Sequence, residues 1–131
     1  MLSALPHQGK WRLIERVVEL TADSVIAEGH FDEQQVEGHF PGRPILPGVL
    51  LLEGLAQTML VLASSLEPDP DGTPFLAGFD RVRFRGTVFP PATVRFEIKL
   101  QLQREGMTRA KGIAYCGDEE VCSATLTGAV R

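Results

Sequence analysis

One segment of the chain combines an imidazole with a carboxylate, two groups that proteins commonly use to move protons in catalysis. It covers residues 38–57 and reads GHFPGRPILPGVLLLEGLAQ. His39 lies in the proline- and glycine-rich half, whereas Glu53 lies in the apolar half. The prolines restrict the backbone, so the loop can hold His39 in one place. A purely structural histidine is the alternative, but the segment as a whole predicts acid–base chemistry by His39 and Glu53.

Three neighbours have the chemistry to assist this pair. Pro47 suits the first turn of a helix, and Gly48 beside it exposes backbone N–H groups at the positive end of the helix dipole. Such N–H groups can polarise a carbonyl or stabilise an enolate oxygen. Gln57 lies one helical turn after Glu53 on the same face, where it can hydrogen-bond to the carboxylate. We therefore predict that Gly48, Pro47 and Gln57 are substrate-binding residues.

The apolar run around Glu53 predicts one long buried helix. Residues 45–66 are mostly apolar, which is also typical of a membrane span. However, Pro47 and Gly48 open the run and Glu53 interrupts it, and a carboxylate inside a span costs on the order of 3 kcal/mol. We therefore expect a helix buried in protein and no membrane insertion. A helix that is apolar on every side must be covered on every side.

The remaining pattern predicts strands that cover this helix. Residues 24–31 and 94–103 alternate between apolar and polar side chains, as half-buried strands do. Residues 12–20 fit a strand or a short helix, and 67–74 fit a loop; further strands are predicted over 80–89, 108–116 and 120–130. The fold class is α+β, with a long central apolar helix wrapped by a curled antiparallel sheet. So small a sheet leaves part of the helix uncovered, which predicts a homodimer.

Length and composition indicate the number of domains and the kinds of partner and cofactor to expect. The chain has 131 residues, 44% of them hydrophobic, which fits a single domain over 1–131. Its net charge of −4 argues against nucleic acid as a partner. Cys116 and Cys122 are spaced for neither a redox pair nor a zinc site, so we expect two structural thiols, no metal and no cofactor. The first residues lack a signal-peptide pattern, and we expect a cytoplasmic protein.

The segment over 38–57 closely resembles the signature of the FabZ-type 3-hydroxyacyl-acyl-carrier-protein dehydratases, which have the hot-dog fold. LPHQGKWRLIERV at 5–17 is similar to the opening of that family, and FDRVRFRGTVFPP at 79–91 to its mid-sheet segment. The related FabA-type enzymes, which also isomerise the double bond, have Asp at the position of Glu53, so the chain looks FabZ-like. The chain departs from the family pattern at positions such as Pro90-Pro91-Ala92. These departures do not affect the catalytic pair but bear on substrate length and on the loop that gates the acyl tunnel.

The resemblance implies a function and a role for several residues. His39 matches the catalytic histidine, Glu53 the catalytic carboxylate and Gly48 the glycine whose amide binds the thioester carbonyl. The histidine and the carboxylate of one site come from different subunits of the dimer, which can assemble further into a trimer of dimers. The implied reaction converts 3-hydroxyacyl thioesters to trans-2-enoyl thioesters in fatty acid, polyketide or polyene synthesis. The acyl group is carried on the phosphopantetheine of an acyl carrier protein, and no other cofactor is implied.

Several interpretations remain open from the sequence. Arg81, Arg83 and Arg85 alternate onto one face of a predicted strand, which is either solvated or a docking site for an acidic carrier protein. His7 matches an early histidine of the family, and its role is open. Four phenylalanines line either the core or the acyl tunnel: Phe75, Phe79, Phe84 and Phe89. A hot-dog acyl thioesterase and a non-catalytic hot-dog subunit are the alternative functions.

Overall fold

A computed structural model describes residues 12–36, 44–66, 72 and 74–130 of the chain, and within these one long helix packs against six strands. The helix α1 covers Gly48–Leu66. The strands are β1 (Arg16–Leu20), β2 (Ser24–Phe31), β3 (Pro74–Phe84), β4 (Ala92–Arg104), β5 (Met107–Cys116) and β6 (Glu119–Val130). A 3-10 turn over Glu33–Val36 follows β2. The predicted α+β class is confirmed, while His7, His39 and most of the predicted loop at 67–74 lie outside the described residues.

The six strands form one antiparallel sheet in the order β1-β2-β4-β5-β6-β3. The sheet does not close, so β1 and β3 are its two edge strands. Helix α1 packs on one face of the sheet, which we call the inner face. Side chains directly opposite each other on paired strands share a face. The pairing of β6 with both β5 and β3 therefore tells which side chains of β3 lie on the inner face.

The inner face and α1 together form the hydrophobic core. In β2, Val25, Ala27 and Phe31 are completely buried, which confirms the predicted alternation. Phe96 on β4 packs edge-on against Phe31, with ring centroids 6.4 Å apart. A β-carbon at Gly54 of α1 would overlap the Phe96 ring. Only glycine fits at this contact, so the face of the helix that carries Gly54 must lie on Phe96. This fixes the rotation of the helix over the sheet and therefore the direction of the neighbouring Glu53.

The third strand differs from its prediction. A strand was expected over 80–89, but β3 begins at Pro74 and ends at Phe84. Arg85 still bonds to the Val121 carbonyl of β6, and the residues after it run beside the start of the helix, where the Leu46 N–H donates to the Val88 carbonyl over 2.9 Å. The alternation in the sequence continues past Phe84, so it could not indicate this change of partner.

Helix α1 is long and apolar enough to cross a membrane by length and composition, and 67% of its most apolar window is buried inside the protein. Residues 51–63 are buried, with the exception of Glu53, which is half-buried. The prediction that this helix is buried within the protein is therefore confirmed.

The two cysteines are free thiols. Cys116 is half-buried, whereas Cys122 lies completely buried on β6, opposite Ala114 and Phe84. Burial, with a smaller contribution from the negative charge of Glu120, raises the pKa of the Cys122 thiol to about 11. The thiol is therefore protonated and a poor nucleophile near neutral pH, which agrees with the predicted structural role.

Candidate active site

Glu53 lies in the second turn of α1, half-buried between the core and the surface. The Gln57 Nε2 atom donates a hydrogen bond to Glu53 Oε1 over 3.1 Å. The two residues are four positions apart, so one helical turn brings their side chains together. This is the hydrogen bond that the sequence predicted. It connects the only carboxylate of α1 to a completely buried amide.

Gln57 is in turn held by the backbone that precedes β1. The Leu13 N–H donates to Gln57 Oε1 over 2.8 Å in the buried interior. A backbone N–H can only donate, so the oxygen of the amide must face Leu13 and its NH₂ group must face Glu53. The orientation of Gln57 is thereby fixed by the chain rather than by the carboxylate. Sequence reasoning missed Leu13, because a backbone donor leaves no signal in the residue type.

The start of α1 provides the backbone N–H group of Gly48, five residues before Glu53. Pro47 precedes the helix, and its carbonyl accepts a hydrogen bond from the Leu50 N–H over 3.0 Å. Gly48 is the first residue of the helix, where the geometry of an α-helix gives its N–H no intrahelical acceptor. A β-carbon at Gly48 would lie 2.8 Å from the Phe84 ring, so this position has no room for a side chain on that side.

The three predicted docking arginines are not equivalent. Arg83 pairs with Ser123, beside the inner-facing Cys122, and Arg85 forms an ion pair with Glu120, which lies opposite Tyr115 beside the inner-facing Ala114, so both lie on the outer face of the sheet. Arg81 has a positive φ of 53° within a register shift between Asp80 and Arg83. This bulge interrupts the alternation, so the period of the sequence does not determine the face on which Arg81 lies. The Arg85 guanidinium forms a 2.7 Å ion pair with Glu120.

Gly48, Glu53 and Gln57 therefore lie in the first three turns of α1, with Pro47 directly before it, and the contact among them is the one between Glu53 and Gln57. It sets Arg83 and Arg85 apart, on the opposite face of the sheet. His39 lies outside the described residues. Across the described parts of the chain, no group of three or more His, Cys, Asp or Glu side chains is arranged to hold a metal ion.

Similarity to known proteins identifies the family to which the chain belongs. A family model described as a FabA-like domain matches residues 5–125. The chain is 39% identical to a 3-hydroxyacyl-acyl-carrier-protein dehydratase FabZ from Chloroflexus aggregans over 99% of its own length and 92% of that protein. It is 38% identical to a FabZ from Legionella pneumophila, over 100% and 91%. The chain belongs to the FabZ dehydratase family within the FabA-like proteins.

Solved structures place the FabZ-family chain among proteins of the hot-dog type. It superimposes on the dehydratase heterocomplex ApeI:P from Xenorhabdus doucetiae with a TM-score of 0.80 over 96% of its length and 87% of that chain, at 21% identity. A hypothetical thioesterase from Streptococcus pneumoniae, solved with coenzyme A, gives a TM-score of 0.73 over 100% and 91%, at 14% identity. These likenesses show the fold, and the predicted hot-dog arrangement is confirmed.

Proposed function

We propose that this protein dehydrates 3-hydroxyacyl groups, carried on the phosphopantetheine of an acyl carrier protein, to trans-2-enoyl groups for fatty acid synthesis. The observation that supports this most directly is the Glu53–Gln57 arrangement, in which a half-buried carboxylate is held by a buried amide of fixed orientation. It lies in a chain with FabZ relatives over nearly its full length. The same chemistry in polyketide or polyene synthesis differs only in the acyl group supplied.

The reaction is a β-elimination with balanced proton transfers. Neutral His39 takes the proton from C2, and the Gly48 N–H stabilises the negative charge that forms on the thioester oxygen. The C3–O bond then breaks, and Glu53 gives a proton to the leaving oxygen, so that water departs. Because Glu53 Oε1 accepts from Gln57, the transferred proton belongs on Oε2. His39 ends protonated and Glu53 ionised; His39 then loses a proton to solvent and Glu53 takes one from solvent, which restores the site.

We further propose that each site is shared between two subunits. Gly48 and Glu53 are five residues apart, which at about 100° per residue puts them about 140° apart around the helix axis. Two groups so far apart on one helix do not face the same small substrate. A two-fold dimer solves this if Gly48 and His39 of one subunit meet Glu53 of the other.

The exposed apolar side chains fit a dimer interface at the β3 edge. Six large hydrophobic side chains are exposed in the described part of the chain, and four of them are on or near β3 and the helix start: Val49, Phe79, Phe84 and Phe89. In the described sheet β3 is also an edge strand of 11 residues, and an edge strand can pair with a strand of another chain. Pairing of two β3 strands would cover these apolar side chains and the edge of β3. A trimer of such dimers is compatible with this interface.

Product analysis tests the proposed function directly. The protein is incubated with 3-hydroxyacyl groups of several chain lengths on acyl carrier protein, and the products are identified by mass spectrometry. A dehydratase yields the enoyl thioester, lighter by one water. A thioesterase instead releases the free acid, and a non-catalytic subunit gives no product at any chain length. Either of these two outcomes contradicts the proposal.

Gln57→Leu should weaken both the fold and the reaction. Leucine keeps much of the volume but leaves the Leu13 N–H unsatisfied, which costs about 1–3 kcal/mol of unfolding free energy. It also frees Glu53 to rotate, so kcat should fall roughly tenfold while KM changes little. Chemical denaturation measures the first effect and steady-state kinetics the second.

Thr58→Val is the matched control for Gln57→Leu. Thr58 is equally buried in the same helix, and its hydroxyl donates to the Gly54 carbonyl over 2.8 Å, away from Glu53. The control should lose stability without losing kcat at temperatures where it is folded. An equal loss of kcat in both variants would mean that Gln57 acts only through helix stability.

We propose that Arg83 and Arg85 on the outer face, together with Arg81 on the same strand, help to dock the acidic carrier protein. Arg83 forms no ion pair among the described residues, whereas Arg85 is paired with Glu120. Replacing Arg81, Arg83 and Arg85 with alanine should raise KM for carrier-linked substrate about tenfold at low salt, with Arg83→Ala giving most of the effect. KM for a pantetheine-linked substrate should not change.

Arg104→Ala serves as the charge-matched control for Arg83→Ala. Arg104 is exposed at the turn between β4 and β5, far along the chain from β3, and has no ion pair in the described regions. If the two variants raise KM equally, net charge rather than a docking site is responsible. If both substrate types are affected alike, the arginines serve the fold.

The remaining parts of the proposal follow from the family. The elimination changes no oxidation state overall, so it needs no redox cofactor, and with His39 as base and Glu53 as acid it needs no metal. We place it in the cytoplasm as a homodimer that acts on acyl carrier protein. Dialysis against a chelator should leave turnover unchanged.

A further inference from the structure

Phe84 is a half-exposed aromatic residue beside the first residue of α1. Its partner across the sheet is Cys122, which is completely buried on the inner face, so Phe84 also points to the inner face. Nevertheless 53% of Phe84 is exposed. A β-carbon at Gly48 would lie 2.8 Å from both Cδ1 and Cε1 of the Phe84 ring. The ring thus lies against the Gly48 backbone with much of its surface still accessible.

We infer that Phe84 forms a wall of the acyl site and excludes substrates with a branch at C2. The inference rests on the proposed function, in which the Gly48 N–H binds the thioester carbonyl. C2 is bonded to that carbonyl carbon, so a methyl group on C2 has to fit beside the bound oxygen. Carbon atoms in contact are about 3.5–4.0 Å apart. A carbon atom added at the β position of Gly48 would be only 2.8 Å from the Phe84 ring, so the ring leaves no room for another carbon on that side.

The position of Phe84 is well determined by its strand. Its neighbour Arg83 pairs with Ser123, and the following Arg85 N–H bonds to the Val121 carbonyl, so the backbone is held to β6 on both sides of Phe84. The ring therefore cannot retreat from Gly48 by a shift of the backbone without loss of these bonds. Unbranched 3-hydroxyacyl thioesters fit this site, and 2-methyl-3-hydroxyacyl thioesters do not.

Phe84→Ala and Phe84→Leu test the inference with a pair of substrates. The measured quantity is the ratio of kcat/KM for a 2-methyl-3-hydroxyacyl thioester to that for its unbranched counterpart. One methyl group in a close-fitting site changes such a ratio by about 10–200-fold. We expect the ratio to rise at least tenfold in Phe84→Ala and less in Phe84→Leu. A ratio equal to that of the wild type in Phe84→Ala overturns the inference.

Phe79→Ala is the matched control. Phe79 lies on the same strand and face, opposite Leu126, and its exposure of 51% is nearly that of Phe84. Leu126 and Cys122 are four residues apart on β6, which separates the two rings by about 13 Å along the strand. The ratio should be unchanged in Phe79→Ala. A rise equal to that in Phe84→Ala would show a general loosening of the sheet edge and overturn the specific role of Phe84.

A second measurement tests the contact without any activity. Gly48→Ala should lower the unfolding midpoint in the wild-type background, because its methyl group meets the Phe84 ring. The same substitution should cost less when combined with Phe84→Ala. Equal costs in both backgrounds would mean that the ring does not lie on Gly48 and would overturn the inference. If instead the contact holds but the wild type dehydrates no thioester, the proposed function fails and this inference fails with it.

Discussion

Glu53→Gln should lower turnover by at least about 10²-fold while the protein remains folded. Glutamine has the shape of glutamate, and its side-chain oxygen can still accept the hydrogen bond from Gln57 Nε2. Its NH₂ group then takes the place of Oε2 and has no acid proton for the leaving hydroxyl. His39→Ala should lower turnover by a similar factor because it removes the base. Steady-state kinetics and thermal unfolding of both variants measure the two effects.

Glu97→Gln provides the control for the carboxylate. Glu97 is also half-buried, but it lies on β4 and forms an ion pair with Arg95 on the outer face of the sheet. Such an exposed pair contributes about 1 kcal/mol or less, so this variant should keep both its fold and its turnover. Near-normal dehydration by Glu53→Gln, with the fold intact, would falsify the assignment of Glu53 as the acid.

The parts of the fold with a regular hydrophobic period were predictable from the sequence. The strand expected over 24–31 is β2, and the helix expected from the apolar run over 45–66 is α1, which begins at Gly48, directly after Pro47. Period-two alternation and a long apolar run are both local signals, and burial on one or all sides preserves them. The same local logic predicted the Glu53–Gln57 hydrogen bond, since one helical turn separates the residues.

Bulges and long-range backbone contacts were not predictable in this way. A bulge between Leu100 and Leu102 of β4 breaks the expected alternation, and Leu102 becomes exposed. The bulge at Arg81 requires a positive φ in a residue that does not favour it, so the residue type gives no warning. The hydrogen bond from Leu13 to Gln57 joins residues 44 positions apart. Such features depend on tertiary pairing, which no local pattern contains.

Two inactive variants should restore activity to each other if the site is shared between subunits. In a mixed dimer of His39→Ala with Glu53→Gln, one site has both defects and the other has neither. Equal expression and random pairing make half of the dimers mixed, so co-expression should restore about a quarter of the wild-type sites. The separation of about 140° between Gly48 and Glu53 around α1 is the physical reason for this expectation. Each variant alone should remain inactive.

The complementation has its own control and a clear contrary result. Co-expression of Glu53→Gln with a Glu53→Gln, His39→Ala double variant produces mixed dimers with no intact site, and it should restore nothing. Native mass spectrometry establishes that mixed dimers are present in both preparations. If they are present and the complementing pair stays inactive, His39 and Glu53 of one site belong to one chain. The elimination chemistry would then survive, but Glu53 would have to reach the carbonyl-binding Gly48 on its own helix, against the angle that separates the two residues.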